Sequence, residues 1–329
     1  LGQFSRFPKA VLEDEPYPVR GLMILGGSPV LSFPDSKSWR EAYKKLDCLI
    51  VLDRYFTEDA RYADVVFPAC SLFEVPKAVL GPEGPHIVEP LIEPVGESKN
   101  DVLIMGAIAK KLGFGDKLPQ TEEELRSWLL SGTAPYAGDF GTSADQKKEK
   151  HYKKYETGEL RADGKPGFPT PSGKLEICST ILEENGFVPY PEYKDVRSIP
   201  ELAGKEYPFT MTSGARSNNR MGVFGANLDK IAEIEPYPFV DINAEDAKEI
   251  GIKDGDMVKV ITPFADGTFK AKIRGIARHA IHIPHGGGSA YMAEPWKNGN
   301  VNDLCSLDYA DPMTGFVLIK SVPCRVEKV

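Results

Sequence analysis

The feature that most constrains the fold is an alternation of short apolar runs and a helical segment in the first 70 residues. The first run, Gly21–Leu25, ends at two glycines, and the second, Asp47–Leu52, ends at an aspartate. Between them, a capping box that begins at Ser38 predicts a helix. A third apolar run, residues 64–67, is stopped by a proline. Buried parallel strands give such runs, so this order predicts an open, mostly parallel α/β sheet.

After residue 206 the pattern changes to short strands separated by turn residues. One helix, predicted over Ala244–Ile250, interrupts them, with Asn243 as its N-cap and Gly251 just after its end. About six short strands in such a region are typical of a closed β-barrel. The predicted strands are Phe209–Thr212, Phe239–Ile242, Met257–Ile261, Thr268–Ile273, Ala280–Ile283 and Phe316–Ile319.

A proline-rich stretch, residues 188–206, separates the two patterns and is typical of a domain linker. We therefore expect an α/β domain with a Rossmann-like sheet over residues 1–190 and a β-barrel domain over residues 206–329. Within the first of these, we expect an irregular Pro- and Gly-rich excursion over residues 74–98 and a further strand over Gly173–Ile177.

The charge balance argues against nucleic-acid binding. Lys and Arg number 40 against 48 Asp and Glu, which gives a net charge of −8, and neither half of the chain is basic. The longest apolar stretch, Val102–Ala109, is far shorter than the roughly 20 residues that span a bilayer, so no direct membrane span is predicted. The five cysteines are too widely spaced to form the thiolate clusters of zinc or iron–sulfur sites.

Two neighbouring strand ends carry the residues that point to a ligand. Gly26, Gly27 and Ser28 follow the first strand, and Asp53 ends the second. In open α/β sheets, ligands bind at the carboxyl ends of the strands. Glycines let backbone N–H groups approach phosphate oxygens, and a carboxylate accepts hydrogen bonds from a ribose or a base. These residues predict half of a dinucleotide-binding site, although a tight turn with a helix-capping aspartate explains them equally well. The G-x-G-x-x-G fingerprint is absent.

Neither a metal site nor a catalytic centre is predicted. His279, His282 and His285 are three residues apart, but on a strand the first two point to opposite faces, and Pro284 prevents a shared helix face. His285 leads a run of three glycines and can contact a ligand through that loop. No G-x-S-x-G motif supports a serine hydrolase, and no neighbouring residues activate a cysteine thiolate.

A series of eight short motifs runs along most of the chain. They are Gly26–Pro29, Leu49–Ala60, Tyr62–Pro68 with Glu74, Pro169–Ile177, Thr210–Arg216, Ile242–Asp256, Val301–Leu304 and Asp311–Gly315. In this order they resemble the C-terminal half of the molybdopterin oxidoreductases of the dimethyl-sulfoxide-reductase type. Each motif is only moderately specific, whereas the shared order over nearly the whole chain is a strong signal.

This resemblance implies a bis(molybdopterin guanine dinucleotide) cofactor that holds molybdenum or tungsten, and a barrel of the double-psi type that caps the pterins. In the α/β half it places Gly26, Gly27 and Ser28 at the pyrophosphate, Asp53 at the guanosine, and Thr57 and Asp64 around that pocket. In the barrel it places Thr212, Ser213, Gly214 and Arg216 at a pterin or phosphate, and Asn302 with Asp303 at a pterin edge. Family members often have Asn where Ser28 stands.

The resemblance also bears on what this chain works with. The family's cysteine cluster for a [4Fe–4S] centre, and the Ser, Cys or selenocysteine that ligates the metal, lie upstream of the matching region. Because the sequence begins with Leu1, we expect it to start partway through a longer polypeptide and to be inactive alone. The expected partners are its own N-terminal region or a companion subunit, and an iron–sulfur electron-transfer subunit. No compartment is assigned.

The sequence leaves two alternatives to the oxidoreductase. In the first, the chain is a free-standing nucleotide- or cofactor-binding assembly module without redox activity. In the second, it is an ordinary nucleotide-dependent enzyme with a β-barrel substrate domain. An upstream cysteine cluster in the same reading frame would favour the oxidoreductase over the module. Tight binding of a nicotinamide or flavin nucleotide would favour the ordinary nucleotide-dependent enzyme.

Overall fold

The computed structural model describes residues 3–81, 84–133, 153–214, 228–292 and 294–329. Its contacts divide the chain into two compact units. The first comprises Leu1–Cys70, Gly96–Asp101 and Asp195–Val329, and the second comprises Ser71–Val95 and Val102–Lys194. The domain boundaries expected from the sequence, 1–190 and 206–329, stay a prediction.

The regular elements are numbered in chain order. The strands are β1 (Gly21–Leu25), β2 (Cys48–Asp53), β3 (Val65–Pro68), β4 (Lys77–Gly81), β5 (Gly84–Val88), β6 (Phe209–Ser213), β7 (Phe239–Asn243), β8 (Met257–Ile261), β9 (Asp266–Arg274), β10 (Ala280–Ile283) and β11 (Lys320–Lys328). The α-helices are α1 (Phe7–Leu12), α2 (Pro29–Ser32), α3 (Ser36–Lys45), α4 (Asp101–Lys111), α5 (Glu122–Thr133), α6 (Lys154–Thr157), α7 (Thr180–Glu184), α8 (Asp229–Ile234) and α9 (Ala244–Glu249). Among the described residues, no helix is both long and apolar enough to cross a bilayer.

The first unit contains the predicted parallel sheet, with the strand order β1-β2-β3. Leu25 pairs with Leu52, and Asp53 pairs with Pro68, so the three strands end at the same edge. Their apolar side chains form one core with α3, which includes Ile24, Leu49, Val51, Trp39 and Tyr43. The prediction of an open parallel sheet is therefore confirmed.

α3, the longer of the two helices between β1 and β2, begins at Ser36, which is earlier than the capping box at Ser38 predicted. Its N-cap is Asp35, whose carboxylate accepts a hydrogen bond from the Ser38 N–H at 3.1 Å. Asp35 has φ 61° and ψ 56°, a left-handed conformation that short polar residues such as Asp tolerate. Ser38 therefore lies inside the helix, and the prediction that it caps the helix is wrong.

The same unit contains a closed barrel of six strands in the order β10-β6-β11-β8-β9-β7. β6 pairs with β10, and β7 with β9, in parallel, while the other neighbours are antiparallel. The inward side chains fill a single core that includes Met211, Val240, Ile242, Val258, Phe269 and Ile281. The predicted closed barrel of about six strands is confirmed, and its double-psi type stays a prediction.

The last barrel strand lies further along the chain than expected. Phe316–Ile319 is not a strand, and Val317 makes only an isolated bridge to Ala310. β11 instead occupies Lys320–Lys328, with a register shift after Lys320 where Ser321 has φ 64°. A proline and several charged residues in this stretch hide its alternation, because proline inside a run usually argues against a strand.

The second unit departs from the sequence-based expectations in two places. The excursion expected over residues 74–98 contains two strands, β4 and β5, which pair in antiparallel orientation. The strand expected over Gly173–Ile177 is absent from the described structure, where Leu175 and Ile177 are exposed. Hydrogen bonds from the Ser172 hydroxyl to Glu176 and from the Thr170 hydroxyl to the Lys174 carbonyl hold turns there instead.

Candidate functional site

The carboxyl edge of the β1-β2-β3 sheet is built around a glycine turn. Gly26 has φ 57°, and its N–H donates to the Leu52 carbonyl at 2.9 Å, which ties the turn to β2. A Cβ added at Gly26 would meet nothing within 4 Å, so the turn is open on that side. Because the positive φ favours glycine, this residue gives the chain its change of direction at the end of β1.

The backbone N–H groups that follow Gly26 differ in whether they have an acceptor. The Val30 N–H donates to the Asp59 carboxylate at 3.1 Å, and the Leu31 N–H donates to the Ser28 carbonyl at 3.0 Å. Within the described part of the chain, the N–H groups of Gly27 and Ser28 donate to no protein acceptor. Adjacent free N–H groups at a sheet edge are a ready binding site for an anion such as phosphate.

A buried carboxylate that sequence reasoning missed lies behind the turn. Asp59 is completely buried and accepts hydrogen bonds from the hydroxyls of Ser28 and Tyr43, the latter at 2.7 Å. Burial raises the pKa of Asp59, and these donors oppose that shift only in part. Burial, with the nearby Asp59 charge, likewise raises the pKa of Tyr43. The Ser28 hydroxyl therefore points into the protein, and only its backbone N–H is left for a ligand.

Asp53 stands where the sequence placed it, at the end of β2. Its Oδ1 accepts a hydrogen bond from the Tyr55 N–H at 3.0 Å, and the residue is half-buried. Asp101, the first residue of α4, lies near enough to feel its charge. Burial, and secondly the charge of Asp53, raises the pKa of Asp101. The edge therefore combines amide donors with a carboxylate acceptor on the neighbouring strand.

The two residues expected to shape the guanosine pocket have local structural roles. The Thr57 hydroxyl oxygen accepts the Ala60 N–H at 3.3 Å, at the start of the 3₁₀ turn Asp59–Arg61. Asp64 precedes β3, and its carboxylate accepts the Leu49 N–H at 2.7 Å. Asp64 therefore lies at the amino-terminal edge of the sheet, and the structure does not bring it together with Gly26 and Asp53.

An aromatic pair beside Asp53 was also missed by the sequence. Phe56 and Tyr291 are each about half exposed, and their rings meet edge to face with 5.2 Å between centroids. The neighbouring Glu58 is buried, and its carboxylate accepts the Ala290 N–H at 3.0 Å and pairs with Arg61 at 2.7 Å. Glu58 thus fixes the loop that carries Tyr291. No sequence signal singled out these rings, because the two residues are far apart in the chain and only the fold brings them into contact.

In the barrel, three of the four residues expected at the end of β6 can be located. Thr212 is half-buried, and the Ser213 hydroxyl donates to the Ile319 carbonyl at 3.0 Å. Gly214 has φ 102°, and a Cβ there would lie 3.9 Å from His285 Nε2. The structure therefore brings His285 next to Gly214, as a shared ligand contact would require. Arg216 lies outside the described residues.

Asn302 and Asp303 join the barrel to the helices of the sheet. Asn302 is completely buried, its Nδ2 donates to the Leu31 carbonyl at 2.7 Å, and its Oδ1 finds no hydrogen-bond partner among the residues that the structure describes. Asp303 pairs with Arg40 at 3.4 Å, and burial raises the pKa of Asp303 despite that charge. A buried, unpartnered oxygen such as Asn302 Oδ1 calls for a donor from a ligand or water.

The remaining histidines do not converge. His282 Nδ1 lies 3.1 Å from Asp241 Oδ2, while the side chain of His279 is largely exposed. Among the described residues, no group of three or more His, Cys, Asp or Glu side chains is arranged to hold a metal ion.

Comparison with known proteins identifies the two parts of the chain. A family model described as Molybdopterin oxidoreductase matches residues 8–111, and one described as Molydopterin dinucleotide binding domain matches residues 210–323. The chain belongs to the molybdopterin oxidoreductase family. The resemblance seen in the sequence is therefore confirmed, and the two models support a molybdopterin cofactor.

Individual relatives agree with this assignment. The chain is 31% identical to the F420-dependent formate dehydrogenase subunit alpha of Methanocaldococcus jannaschii, over 81% of this chain and 38% of that protein. It is 31% identical to the probable oxidoreductase YoaE of Bacillus subtilis, over 78% of this chain and 37% of that protein. The structure of acetylene hydratase from Pelobacter acetylenicus has the same fold, with a TM-score of 0.81 at 22% identity, over 100% of this chain and 47% of that one. The chain thus spans less than half the length of these relatives.

The residues at the sheet edge fit the dinucleotide part of such a cofactor. The open space at Gly26 and the free N–H groups of Gly27 and Ser28 suit a diphosphate. The Asp53 carboxylate on the next strand suits the N–H donors of a base. In the barrel, the unpartnered oxygen of Asn302 is an acceptor of the kind that a pterin N–H requires.

Proposed function

We propose that this chain binds the guanine dinucleotide arm of a bis(molybdopterin guanine dinucleotide) cofactor at the carboxyl edge of its parallel sheet. The observation that carries the proposal is the pairing of two free N–H groups, of Gly27 and Ser28, with the Asp53 carboxylate on the neighbouring strand. The N–H groups would bind the diphosphate, and Asp53 would accept hydrogen bonds from guanine. The exposed rings of Phe56 and Tyr291 would offer a stacking surface to the base.

The barrel would cover the pterin. Gly214 and His285 would contact it from one loop cluster, together with Thr212, and the Asn302 oxygen would accept a hydrogen bond from a pterin N–H. Arg216 and Asp303 stay candidate contacts from the sequence. When bound, the cofactor supplies redox chemistry at molybdenum or tungsten, and this chain's residues bind and orient it.

We further propose that turnover requires residues beyond these 329. The chain spans 37–47% of the length of the relatives described above, and an iron–sulfur partner or region would relay electrons. The chain alone should therefore reduce or oxidise no candidate substrate with a redox dye. Metal-dependent turnover by the purified chain would contradict this expectation.

The test of the binding proposal uses a nucleotide that carries guanine and a doubly esterified diphosphate. Calorimetric titration of the 329-residue chain should show binding of GDP-glucose and weaker binding of ADP-glucose, which differs only in the base. Asp53→Ala should weaken GDP-glucose binding by at least about tenfold, since a hydrogen bond to a charged group contributes roughly 1.5–3 kcal/mol.

Asp47→Ala is the matched control, because Asp47 is an exposed carboxylate at the opposite end of the same strand. It should leave the affinity unchanged. Equal affinities of the two variants would remove Asp53 from the guanine contact, and equal binding of both sugar nucleotides would remove guanine as the base.

A further inference from the structure

Asp59 is the most deeply buried acidic group at the proposed dinucleotide site, and it touches no ligand-facing surface. It is fully buried, at the start of the 3₁₀ turn that follows β2. Its carboxylate receives three hydrogen bonds, from the hydroxyl of Ser28, the hydroxyl of Tyr43 at 2.7 Å and the N–H of Val30 at 3.1 Å. Ser28 belongs to the turn that follows β1, and Val30 lies in α2, the short helix that continues from this turn.

These hydrogen bonds determine which donors of the turn stay available. Asp59 takes the Ser28 hydroxyl and the Val30 N–H, and the Leu52 carbonyl takes the Gly26 N–H. The Gly27 and Ser28 N–H groups are left without a protein acceptor in the described chain. The carboxylate therefore holds the turn from the protein side while two N–H groups remain for an anion.

The charge surroundings of Asp59 are unusual for a buried carboxylate. All three donors are neutral, and among the described residues no Lys, Arg or His forms an ion pair with it. The titratable groups around it are Tyr43 from α3 and, in its own segment, Glu58, which is already paired with Arg61. From the turn after β1 and from α2, the described contacts of Asp59 are the Ser28 hydroxyl and the Val30 N–H, neither of which titrates. An ionised Asp59 would thus carry an uncompensated negative charge directly behind a diphosphate bound to the turn.

We propose that Asp59 is the positioning residue of the diphosphate-binding turn and that it takes up one proton when the diphosphate binds. This inference rests on the proposed function. The proton passes from the solvent buffer to the Asp59 carboxylate, where it removes the repulsion between two negative charges on either side of the turn. Burial raises the pKa of this carboxyl, which is the direction that favours such uptake.

The sign of the effect follows from linkage. Binding favours the protonated form of Asp59, so the affinity for a diphosphate should fall as the pH rises. The fall reaches at most tenfold per pH unit, the limit for uptake of one whole proton. GDP-glucose is the suitable probe, because both ends of its diphosphate are esterified, whereas a terminal phosphate titrates near pH 6 and would confuse the profile.

The experiment measures GDP-glucose affinity and proton uptake from pH 5 to pH 8.5, by calorimetry in pairs of buffers with different ionisation enthalpies. The parent chain should lose affinity with rising pH and take up protons on binding. Asp59→Asn, which keeps an acceptor for Tyr43 and Val30 but cannot ionise, should bind within about threefold of the parent at low pH. It should show no pH dependence and no proton uptake.

Two further variants separate positioning from general stability. Asp59→Ala should bind at least about tenfold more weakly at every pH, because the turn loses its support. Asp246→Asn removes a carboxylate of the barrel that is buried to the same extent, and it should lower the unfolding temperature while keeping the parental pH profile. A flattened profile in Asp246→Asn, or an unchanged one in Asp59→Asn, would overturn the proton uptake. Parental affinity in Asp59→Ala would overturn the positioning role.

A measurement without nucleotide distinguishes failure of this inference from failure of the proposed function. In a chain labelled with [15N]glycine, the Gly27 amide resonance should titrate with pH, and Asp59→Asn should abolish the titration. If the parent binds no GDP-glucose at any pH, the proposed function fails, while a Gly27 titration that depends on Asp59 still supports the positioning role. A Gly27 resonance that ignores Asp59 overturns it.

Discussion

Asp59 behind the sheet edge and Asp246 in the barrel are buried to almost the same extent, 0% and 1% exposed, but their partners differ in kind. Asp246 receives the Nε–H of Arg278 and the N–H of His279. The same guanidinium also bonds Glu245 and Glu249, and the hydrogen bond to Asp246, followed by those to Glu245 and Glu249, raises the pKa of Arg278. The described residues give the Asp59 carboxylate hydrogen bonds from two hydroxyls and from the Val30 N–H, all of them neutral donors.

This difference separates a structural carboxylate from one placed near a ligand. A buried charge is costly unless it is paired, and the barrel meets that requirement with Arg278. At the sheet edge, no Lys, Arg or His of the described chain pairs with Asp59, and the N–H groups of Gly27 and Ser28, which find no acceptor in that part of the chain, lie on the adjoining turn. A cation beside Asp59 would stabilise the fold, but it would also keep the carboxylate ionised behind a bound diphosphate. The sheet edge thus retains an electrostatic cost that the barrel avoids.

Removing the cation of the barrel pair should have the largest effect on folding. Arg278→Met should lower the free energy of unfolding by about 3 kcal/mol, because it removes the guanidinium that neutralises the buried Asp246 carboxylate and leaves that carboxylate only the His279 N–H among the hydrogen bonds described above. Urea denaturation followed by circular dichroism measures the loss. Arg325→Met is the control, since Arg325 pairs with the exposed Glu327, and it should cost well under 1 kcal/mol. Equal losses would show that the Asp246 pair is no stronger than a surface pair.

A smaller loss is expected when one neutral donor is removed from Asp59. Tyr43→Phe should cost about 2 kcal/mol at pH 8, the usual scale for a hydrogen bond to a charged group. Because the pKa of Asp59 is raised on folding, the folded protein loses stability as the pH rises above about 4, the unfolded value, towards the folded value. Loss of the Tyr43 donor raises that folded pKa further, so the penalty should shrink at pH 5.

Chemical denaturation of the parent and Tyr43→Phe at both pH values measures this difference. Tyr190→Phe, which changes an exposed tyrosine, is the matched control and should be neutral at both. A Tyr43→Phe penalty that is the same at pH 5 and pH 8 would mean that Asp59 does not change its protonation in this range.

Elements defined by continuous apolar runs were predictable from the sequence. β1, β8 and β10 have the predicted bounds, because each run is apolar throughout or alternates cleanly. β11 was misplaced because Pro323 and its charged neighbours hide the alternation that puts Val322, Cys324 and Val326 in the core. The Ser38 cap was wrong because Asp35 reaches the same N–H group from a left-handed conformation, which residue type alone does not reveal.

The site was predictable where it follows the ends of strands and not where it depends on distant contacts. Gly26 and Asp53 meet at one edge because parallel strands end together. Asp59 lies in a motif that suggests only a helix start, and its role arises from Ser28 and Tyr43, which are 31 and 16 residues away. For Asp64 the residue type was misleading. This polar residue beside a strand accepts a hydrogen bond from the Leu49 N–H at the opposite edge of the sheet.

The smallest effect on the free energy of unfolding is expected for an ion pair whose two side chains are both exposed to solvent. Such a pair gives the lower limit against which the buried carboxylates are compared. Lys259 and Asp266 pair at 3.0 Å on neighbouring barrel strands, with 42% and 53% of their side chains exposed. Asp266→Asn should change the free energy of unfolding by less than about 0.5 kcal/mol, because solvent already screens this pair. Denaturation in low salt and in 1 M NaCl measures the change, which added salt should abolish. A loss comparable to that of Arg278→Met would mean that burial does not decide the strength of these pairs, and the contrast between Asp59 and Asp246 would then need another explanation.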